Sequence, residues 1–475
     1  MQTRRQFVKD VAKASAVVAA PNFILKPFLT DQFESKRPAV RERHFTSPAV
    51  EEVITTFRSN VRNKELAWLF ENCFPNTLDT TVEYEVIDGK PDTYVITGDI
   101  DAMWLRDSSA QVWPYLSLMK QDDSLRKLIA GVIRRQTKFI HIDPYANAFY
   151  KDLTKVGEWK SDLTEMRPGV HERKWEIDSL CYPIRLAHRY WKECGDTGPL
   201  DEAWKEGIRL TLRTFREQQR KKDNGPYKFQ RTTAWATDGV PIAGYGYPCK
   251  PVGLIHSMFR PSDDATIYPF LIPSNFFAVR SLRQAAEMLS AIHHDNLMAG
   301  ECIALADEVE AALKKYAVAR HPSFGKIYAF EVNAYGSTNL MDDANVPSLL
   351  SLPYLDTVSL KDKIYRNTRK YILSNENPFF FKGKAGEGIG GPHTGMDMIW
   401  PLGITMRGLT SSDDHEIRFC IRQLLATHGG TGFMHESFHK DDATNFTRKW
   451  FAWSNTLFGE FLWKIYREKP ALLDV

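Results

Sequence analysis

The chain has 475 residues, 43% of them hydrophobic and 25% charged, a balance typical of a globular protein with a large core. Its 62 basic and 59 acidic residues leave a formal net charge of +3 without any basic block, so nucleic acid is not an expected partner. The six cysteines show no CxxC spacing, which argues against a zinc framework or a disulfide scaffold. The 12 Trp, 18 Tyr and 28 Phe suit either a packed core or the stacking of sugar rings.

The N-terminus differs from the rest of the chain. Arg4 and Arg5 precede a short, mildly apolar run over 11–20 and then Pro21, a pattern that resembles a twin-arginine (Tat) export signal. The alternative is an ordinary basic terminus. The run is too short to span a bilayer and no other segment qualifies, so we expect no membrane span. The sequence thus predicts a Tat-type signal over 1–21 and a bacterial periplasmic location.

After residue 50 the apolar residues follow mainly helical spacing. Residues 22–50 are polar and are expected to form a linker or N-terminal extension, followed by one domain over 51–475. Strands are predicted at 81–87, 93–97 and 326–332. Helices are predicted at 51–74, from Trp104 onward, and at 125–133, 177–191, 200–215, 276–292, 297–316, 361–372, 396–409, 416–427 and 450–466. With no internal repeat, we predict an all-α domain whose helical hairpins form a ring and whose loops gather at one end.

Two adjacent carboxylates, Asp263 and Asp264, lie in a stretch rich in aromatic residues and proline. Acidic pairs are most often solvated loop charges. Here apolar residues such as Phe259 and Tyr268 lie close by in the sequence, and a carboxyl group among apolar rings has a raised pKa. One member of the pair is therefore a candidate general acid.

Another loop-like stretch, 98–109, combines carboxylates with an arginine. Asp99, Asp101 and Asp107 accompany Arg106; an arginine fixes neighbouring carboxylates, which accept hydrogen bonds from sugar hydroxyls. The alternative is a salt bridge at a helix start, with Asp107 as its cap.

Two more polar stretches precede predicted helices. Glu172, Glu176 and Asp178 are either site carboxylates or first-turn charges favoured by the helix dipole. His393 and Asp397 lie in a glycine-rich stretch that lacks the residue spacing of a phosphate-binding loop.

His435, Glu436 and His439 form an HExxH motif. On a helix the two histidines would share a face and hold zinc while Glu436 activates water, with Glu460 as a possible third ligand. Glycines before the motif and polar residues after it favour a loop, so a zinc hydrolase stays the alternative. The preferred interpretation pairs Glu436 with the Asp263–Asp264 acid, because glycoside hydrolysis commonly uses two carboxyl groups.

The motifs at 98–109 (GDIDAMWLRDSS), 260–265 (RPSDDA), 434–442 (MHESFHKDD) and 450–455 (WFAWSN) closely resemble glycoside hydrolase family 125. The likeness covers nearly the whole chain after about residue 45. It implies an (α/α)6 barrel and an exo-acting α-1,6-mannosidase that needs no metal or cofactor and inverts the anomeric carbon. The expected partner is a mannose-containing oligosaccharide or N-glycan, and we expect a monomer.

The resemblance also implies residue roles. The general acid falls on the acidic pair, with Asp263 preferred and kept protonated by burial, and the general base is Glu436. After the acidic pair the sequence departs from the family pattern at Pro269. A proline there would reshape the neighbouring pocket, so the family's leaving-group preference is not carried over to this chain. The remaining expected contacts to the terminal mannose are Asp99, Asp101, Arg106, Asp107, Asp264, Asn275, His393, Asp397 and His435.

Overall fold

Helices account for most of the regular structure, as the apolar spacing predicts. The computed structural model describes residues 33–475, and residues 35–475 form one compact unit. The predicted export signal over 1–21 lies outside the described residues. The helices are α1 Pro48–Asn60, α2 Lys64–Cys73, α3 Asn76–Thr80, α4 Leu105–Val112, α5 Asp123–Ile142, α6 Ile177–Cys194, α7 Glu202–Gln218, α8 Ile272–Ile292, α9 Asn296–Tyr316, α10 Lys363–Ile372, α11 Pro401–Leu409, α12 Asp414–Thr427 and α13 Ala452–Glu468.

The strands are short, and all of their pairings are antiparallel. The sheets of the described chain pair in the orders β1-β2, β3-β4-β5, β10-β9-β6, β7-β8, β11-β12 and β13-β14-β15. The strands are β1 Val82–Ile87, β2 Lys90–Val95, β3 Met103–Trp104, β4 Ala148–Phe149, β5 Val170–Glu172, β6 Phe270–Leu271, β7 Val318–His321, β8 Gly325–Tyr328, β9 Glu331–Val332, β10 Thr338–Asn339, β11 Phe380–Lys382, β12 Glu387–Ile389, β13 Met398–Ile399, β14 Ser437–His439 and β15 Asp442–Thr447.

The helices form an inner and an outer set. The inner helices α4, α6, α8, α11 and α13 pack on one another in part of a ring, with α13 against both α4 and α11. Every residue of α4 is buried, whereas outer helices such as α5 and α7 bury one stripe and expose the other. Inner and outer helices alternate along the chain, which is the pattern of an (α/α)6 barrel.

A non-helical segment, 342–355, takes the remaining inner position. The Val346 carbonyl accepts a hydrogen bond of 2.9 Å from the Tyr182 hydroxyl of α6. Tyr354 donates one of 2.9 Å to Glu460 of α13. The segment therefore contacts both α6 and α13 of the inner ring without forming a helix.

Two predicted helix bounds are wrong, each for a local reason. The helix predicted over 51–74 is two helices, because Val61 is extended and Asn63 caps α2 by accepting the Leu66 N–H at 3.0 Å. The helix predicted from residue 396 begins at Pro401, because Met398 and Ile399 pair with strand β14. Proline suits a first helical position, where its missing N–H is no loss.

Strands β3, β6 and β13 immediately precede the inner helices α4, α8 and α11. Each belongs to a three-stranded sheet that ties the loop before an inner helix to other loops. The isolated bridge between Gly98 and Phe451 ties the loop before α4 to the start of α13 in the same way. These ties gather the loops at the N-terminal ends of the inner helices.

Two other expectations concern cysteines and membranes. The six cysteines all lie among the described residues and are free. Within residues 33–475, none of the helices combines the length and apolarity that crossing a bilayer needs.

Candidate active site

The Asp263–Asp264 pair lies in a tight turn before α8. The Asp263 N–H donates to the Arg260 carbonyl at 2.9 Å, and the Arg260 N–H donates to the Asp264 carbonyl at 2.8 Å. Asp263 has a φ of 64°, in the left-handed region that aspartate tolerates better than most residues. The turn points the two side chains toward different neighbours.

Asp263 faces a basic and polar surrounding. Its Oδ1 accepts from Arg106 Nη2 at 3.1 Å and from Asn147 Nδ2 at 3.3 Å, and Lys174 Nζ donates to its backbone carbonyl at 2.8 Å. Burial raises the pKa of Asp263, but Arg106, Lys174 and a hydrogen bond with Glu176 outweigh it, so the pKa is lowered. The expectation that burial alone keeps Asp263 protonated is wrong.

Asp264 is more enclosed than Asp263, with a side chain 4% exposed against 21%. Its Oδ2 lies 3.5 Å from His393 Nδ1. Burial raises the pKa of Asp264, but His393, the Thr237 hydroxyl and Lys174 outweigh it and lower the pKa.

Glu436 lies on the other side of the same imidazole. Its Oε1 is 4.0 Å from His393 Nε2 and 3.5 Å from Arg448 Nη1. One imidazole ring thus separates Asp264 from Glu436, which limits the distance between the two oxygens to about 10 Å; inverting glycosidases place their carboxyl groups roughly 6.5–9.5 Å apart.

Arg106 binds several carboxylates at the N-terminal ends of α4 and α6. Its Nη1 lies 2.6 Å from Glu176 Oε2 and 3.2 Å from Asp178 Oδ2, and its Nε lies 3.3 Å from Asp107 Oδ2. Burial raises the pKa of Asp107 and of Asp178 to about 6 each, against the lowering effect of Arg106. Arg106 therefore brings Asp107, Glu176, Asp178 and Asp263 into one cluster.

Three of the remaining predicted ligands lie at the edge of this set. Asp99 pairs with Arg448, whose Nε donates to its Oδ1 at 2.9 Å, so it joins the Glu436 side. Asp397 pairs with Lys440 at 2.7 Å. Asp101 is 61% exposed and lies 3.5 Å from Lys155, which places it on the outer rim.

Asn275 is a structural residue, contrary to the prediction. Its Oδ1 accepts from the Ile255 N–H at 2.9 Å, and its Nδ2 donates to the carbonyls of Ile255 at 3.0 Å and Leu271 at 2.9 Å. It is fully buried, and backbone groups occupy its amide, so the amide is committed to holding a loop on α8.

The HExxH motif does not form a zinc face. His439 belongs to strand β14 and His435 precedes it, so the helical i, i+4 geometry that the zinc alternative needs is missing. His435 is buried and stacks on Phe446 with ring centroids 3.7 Å apart, and burial lowers its pKa to about 4. The buried, stacked ring supports the loop that carries Glu436. Among the described residues, no group of three or more His, Cys, Asp or Glu side chains is arranged to hold a metal ion.

Several residues of the site are not predictable from local sequence patterns. Arg448 follows strand β15 in a polar stretch, with a φ of 44°. Asn147 and Lys174 contact Asp263 from elsewhere in the chain. Glu176 and Asp178 were equally well explained as helix-start charges, and only their contact with Arg106 places them in the site.

A family profile described as metal-independent alpha-mannosidase matches residues 63–463. The chain belongs to glycoside hydrolase family 125. It is thus a glycoside hydrolase of an α-mannosidase family, which confirms the resemblance carried by the motifs. The family description also agrees with the absence of a zinc geometry at the HExxH motif.

Solved structures support both the family and the fold. A Streptococcus pneumoniae protein of a family of metal-independent alpha mannosidases, solved in a non-productive complex with alpha-1,6-mannobiose, is 41% identical to this chain. The match covers 91% of this chain and 100% of that one, with a TM-score of 0.85. A bacterial glucoamylase complexed with acarbose is 14% identical, over 88% of this chain and 57% of that one, with a TM-score of 0.52, and shares the (α/α)6 fold alone.

A curated relative corrects the expected location. The Meiotically up-regulated gene 157 protein of Schizosaccharomyces pombe is 40% identical over 456 residues, which is 92% of this chain and 89% of that protein. A relative in a eukaryotic yeast points away from a bacterial Tat route, so the periplasmic expectation is wrong. Two arginines before a short apolar run are a weak pattern that basic termini also show.

Proposed function

We propose that this family 125 member removes terminal α-1,6-linked mannose from the non-reducing end of glycans, with inversion at the anomeric carbon. The observation that carries the proposal is the single imidazole of His393 between Asp264 and Glu436, with contacts of 3.5 Å and 4.0 Å. It brings the acidic turn and Glu436 into one site, with the Asp264 and Glu436 oxygens no more than about 10 Å apart, which is compatible with the roughly 6.5–9.5 Å spacing of inverting glycosidases. The mannobiose complex of the Streptococcus pneumoniae relative supports the linkage.

Asp263 is the proposed general acid, because its side chain is the more exposed of the pair, at 21% against 4%. Asp264 then orients the His393 ring through its Nδ1, the nitrogen farther from Glu436. Glu436 is the proposed general base, with Arg448 holding its carboxylate at 3.5 Å.

The reaction is a single displacement. Asp263 delivers a proton to the glycosidic oxygen as the bond to the anomeric carbon breaks and its electron pair stays on that oxygen. Glu436 takes a proton from the water that attacks the opposite face of the ring. Asp99, Arg106 and Asp107 lie beside these two groups and are the proposed contacts to the mannose hydroxyls.

The test is hydrolysis of α-1,6-mannobiose and its α-1,2 and α-1,3 isomers in the presence of EDTA, with the released anomer followed by NMR. Prompt β-mannose from the α-1,6 sugar alone is expected. Initial release of α-mannose would contradict inversion, and equal turnover of all three sugars would contradict the linkage.

Two variants test the roles. Asp263→Asn and Glu436→Gln are each expected to lower kcat by roughly 10²–10⁴-fold with little change in mannose affinity. Asp123→Asn and Glu202→Gln make the same chemical changes at exposed positions on outer helices and serve as matched controls. Near-normal turnover by either site variant would remove that residue from its role.

A further inference from the structure

Four carboxyl groups surround the guanidinium of Arg106. Asp107, Glu176, Asp178 and Asp263 all approach it within 3.3 Å. Glu176 and Asp178 have side chains 0% exposed. This cluster holds more potential negative charge than one arginine balances.

Two other cations near the cluster are shared with other carboxylates. Arg448 interacts with Asp107 but also pairs with Asp99 and Glu436. Lys174 lies 2.8 Å from Asp238 and 3.2 Å from Glu172, and it reaches Asp263 only through the backbone carbonyl. Carboxylates that share a buried site cannot all ionise, because each charge lacks water and repels the others. At least one carboxyl group of the Arg106 cluster must therefore hold a proton.

Glu176 is the group whose contacts show where the proton lies. Its Oε2 is occupied, accepting from Arg106 Nη1 at 2.6 Å and from Ser179 Oγ at 2.9 Å. Its Oε1 is buried and receives no hydrogen bond from an amide, hydroxyl or cationic group, as is also the case for Asp107 Oδ2 and Asp178 Oδ1. Glu176 and Asp263 bind the adjacent nitrogens Nη1 and Nη2 of Arg106 at 2.6 and 3.1 Å, which sets their carboxyl groups side by side, and the two interact through a side-chain hydrogen bond. Two carboxyl groups form such a bond only when a proton lies between them.

The other two carboxyl groups of the cluster fit the role less well. Asp178 accepts from Arg106 Nη1 at 3.2 Å and lies in the first turn of α6, where the helix dipole favours the charged form. Asp107 lies in the first turn of α4 in the same way and contacts the opposite edge of the guanidinium. The pKa of Glu176 is raised well above its usual range, first by burial and then by Asp263 and Asp178, against the opposing charge of Arg106.

We propose that Glu176 is a positioning residue that holds the catalytic proton on Oε1 and shares it with Asp263, which passes it to the glycosidic oxygen. This inference rests on the proposed function. It explains how Asp263 can act as an acid although its basic neighbours favour its ionised form. Glu176 itself has no exposed surface and acts through Asp263.

Every proton that is transferred during one turnover is replaced by its end. The O–H bond of Glu176 breaks as one forms on Asp263, and the Asp263 O–H bond breaks as the leaving oxygen is protonated. The attacking water gives a proton to Glu436. Glu436 then releases that proton to solvent, and the Glu176–Asp263 pair takes one up.

The decisive variant is Glu176→Gln, which is neutral like a protonated glutamic acid and keeps a donor toward Asp263 but has no proton to transfer. Its kcat on α-1,6-mannobiose should fall by roughly 10²-fold or more, with KM within about threefold of wild type. Its kcat on a dinitrophenyl α-mannoside, whose leaving group needs no proton, should stay close to wild type. A purely structural role would lower both rates together, and unchanged mannobiose turnover would overturn the inference.

Parallel assays separate this inference from the proposed function. If Asp263→Asn retains mannobiose turnover, the assignment of the acid fails. If Asp263→Asn loses turnover and Glu176→Gln does not, only the role of Glu176 fails.

Infrared spectroscopy gives a readout that does not depend on turnover. The wild-type protein near neutral pH should show a carboxylic-acid carbonyl band that loses intensity in Glu176→Gln, while the contribution of buried Asp342 remains. Glu172→Gln is the matched control, because Glu172 is also buried but lies 3.2 Å from Lys174 and 3.1 Å from Arg231, and its pKa is lowered. Persistence of the full band in Glu176→Gln would contradict the proposal.

Discussion

Arg448 joins Glu436 to Asp99, a residue far away in the sequence. Its Nη1 lies 3.5 Å from Glu436 Oε1, and its Nε donates to Asp99 Oδ1 at 2.9 Å. The guanidinium carbon also lies 4.7 Å from the centre of the Phe451 ring. A planar group held on both edges and one face fixes the position of the Glu436 carboxylate.

This arrangement predicts that Arg448→Lys is not a conservative change. A lysine ammonium cannot hold two carboxylates in the same plane, so we expect kcat on α-1,6-mannobiose to fall by about 10-fold to 100-fold. Steady-state kinetics and a thermal melt measure the change. Arg41→Lys, at a side chain 87% exposed, is the control and should leave both unchanged. Equal losses in the two variants would contradict the role of Arg448.

The strand geometry of the HExxH motif predicts that neither loss of His439 nor removal of metal abolishes activity, whereas a zinc hydrolase would lose activity in both cases. His439 lies in a strand, where its Nδ1 accepts from the Asp441 N–H at 3.2 Å, so His439→Ala should reduce activity by less than about tenfold. EDTA should leave the wild-type rate unchanged. Metal analysis of the dialysed protein provides the check, and stoichiometric zinc that is lost in His439→Ala would restore the zinc alternative.

Asn275→Ala should lower stability and spare binding. The variant loses three buried hydrogen bonds to backbone, each worth about 1–3 kcal/mol when a partner is left unsatisfied. Chemical denaturation should show a loss of about 2–4 kcal/mol, with KM for mannobiose unchanged. Asn367→Ala, which loses one exposed hydrogen bond, is the control. A raised KM with normal stability would return Asn275 to the sugar site.

Asp342 predicts a pH dependence of stability. It is fully buried, and burial raises its pKa to about 8, against two backbone N–H donors, from Leu349 and Leu350, that lower it. Between the unfolded pKa near 4 and the folded pKa near 8, the folded state binds a proton that the unfolded state has lost. Stability from this group is therefore complete below about pH 4 and falls by up to about 1.4 kcal/mol per pH unit until pH 8.

Asp342→Asn should remove that slope, because its amide does not titrate. Denaturant unfolding of both proteins from pH 4 to pH 8 measures the difference. Asp123→Asn, at a surface position, should keep the wild-type slope. Parallel curves for wild type and Asp342→Asn would show that Asp342 does not bind a proton in this range.

The helix pattern was predictable because it depends on local spacing. Outer helices such as α9 matched the prediction to within one residue, since a single buried stripe repeats along them. The bounds that failed, at Val61 and before Pro401, depend on a cap and on pairing with a distant strand. The local sequence around a two-residue strand does not show which distant strand it pairs with.

The amino-acid sequence by itself determined the helical class, the family motifs, the Asp263–Asp264 pair and Glu436, because each is a property of neighbouring residues. Only the tertiary structure decided the electrostatics. It placed Arg106 against Asp263 and reversed the expected direction of the Asp263 pKa. It also placed Glu176 beside Asp263 and Arg448 beside Glu436. Asn275 instead binds backbone groups and takes a structural role. Coulomb interactions and hydrogen bonds depend on distance in space, and the chain order of residues from separate loops does not encode that distance.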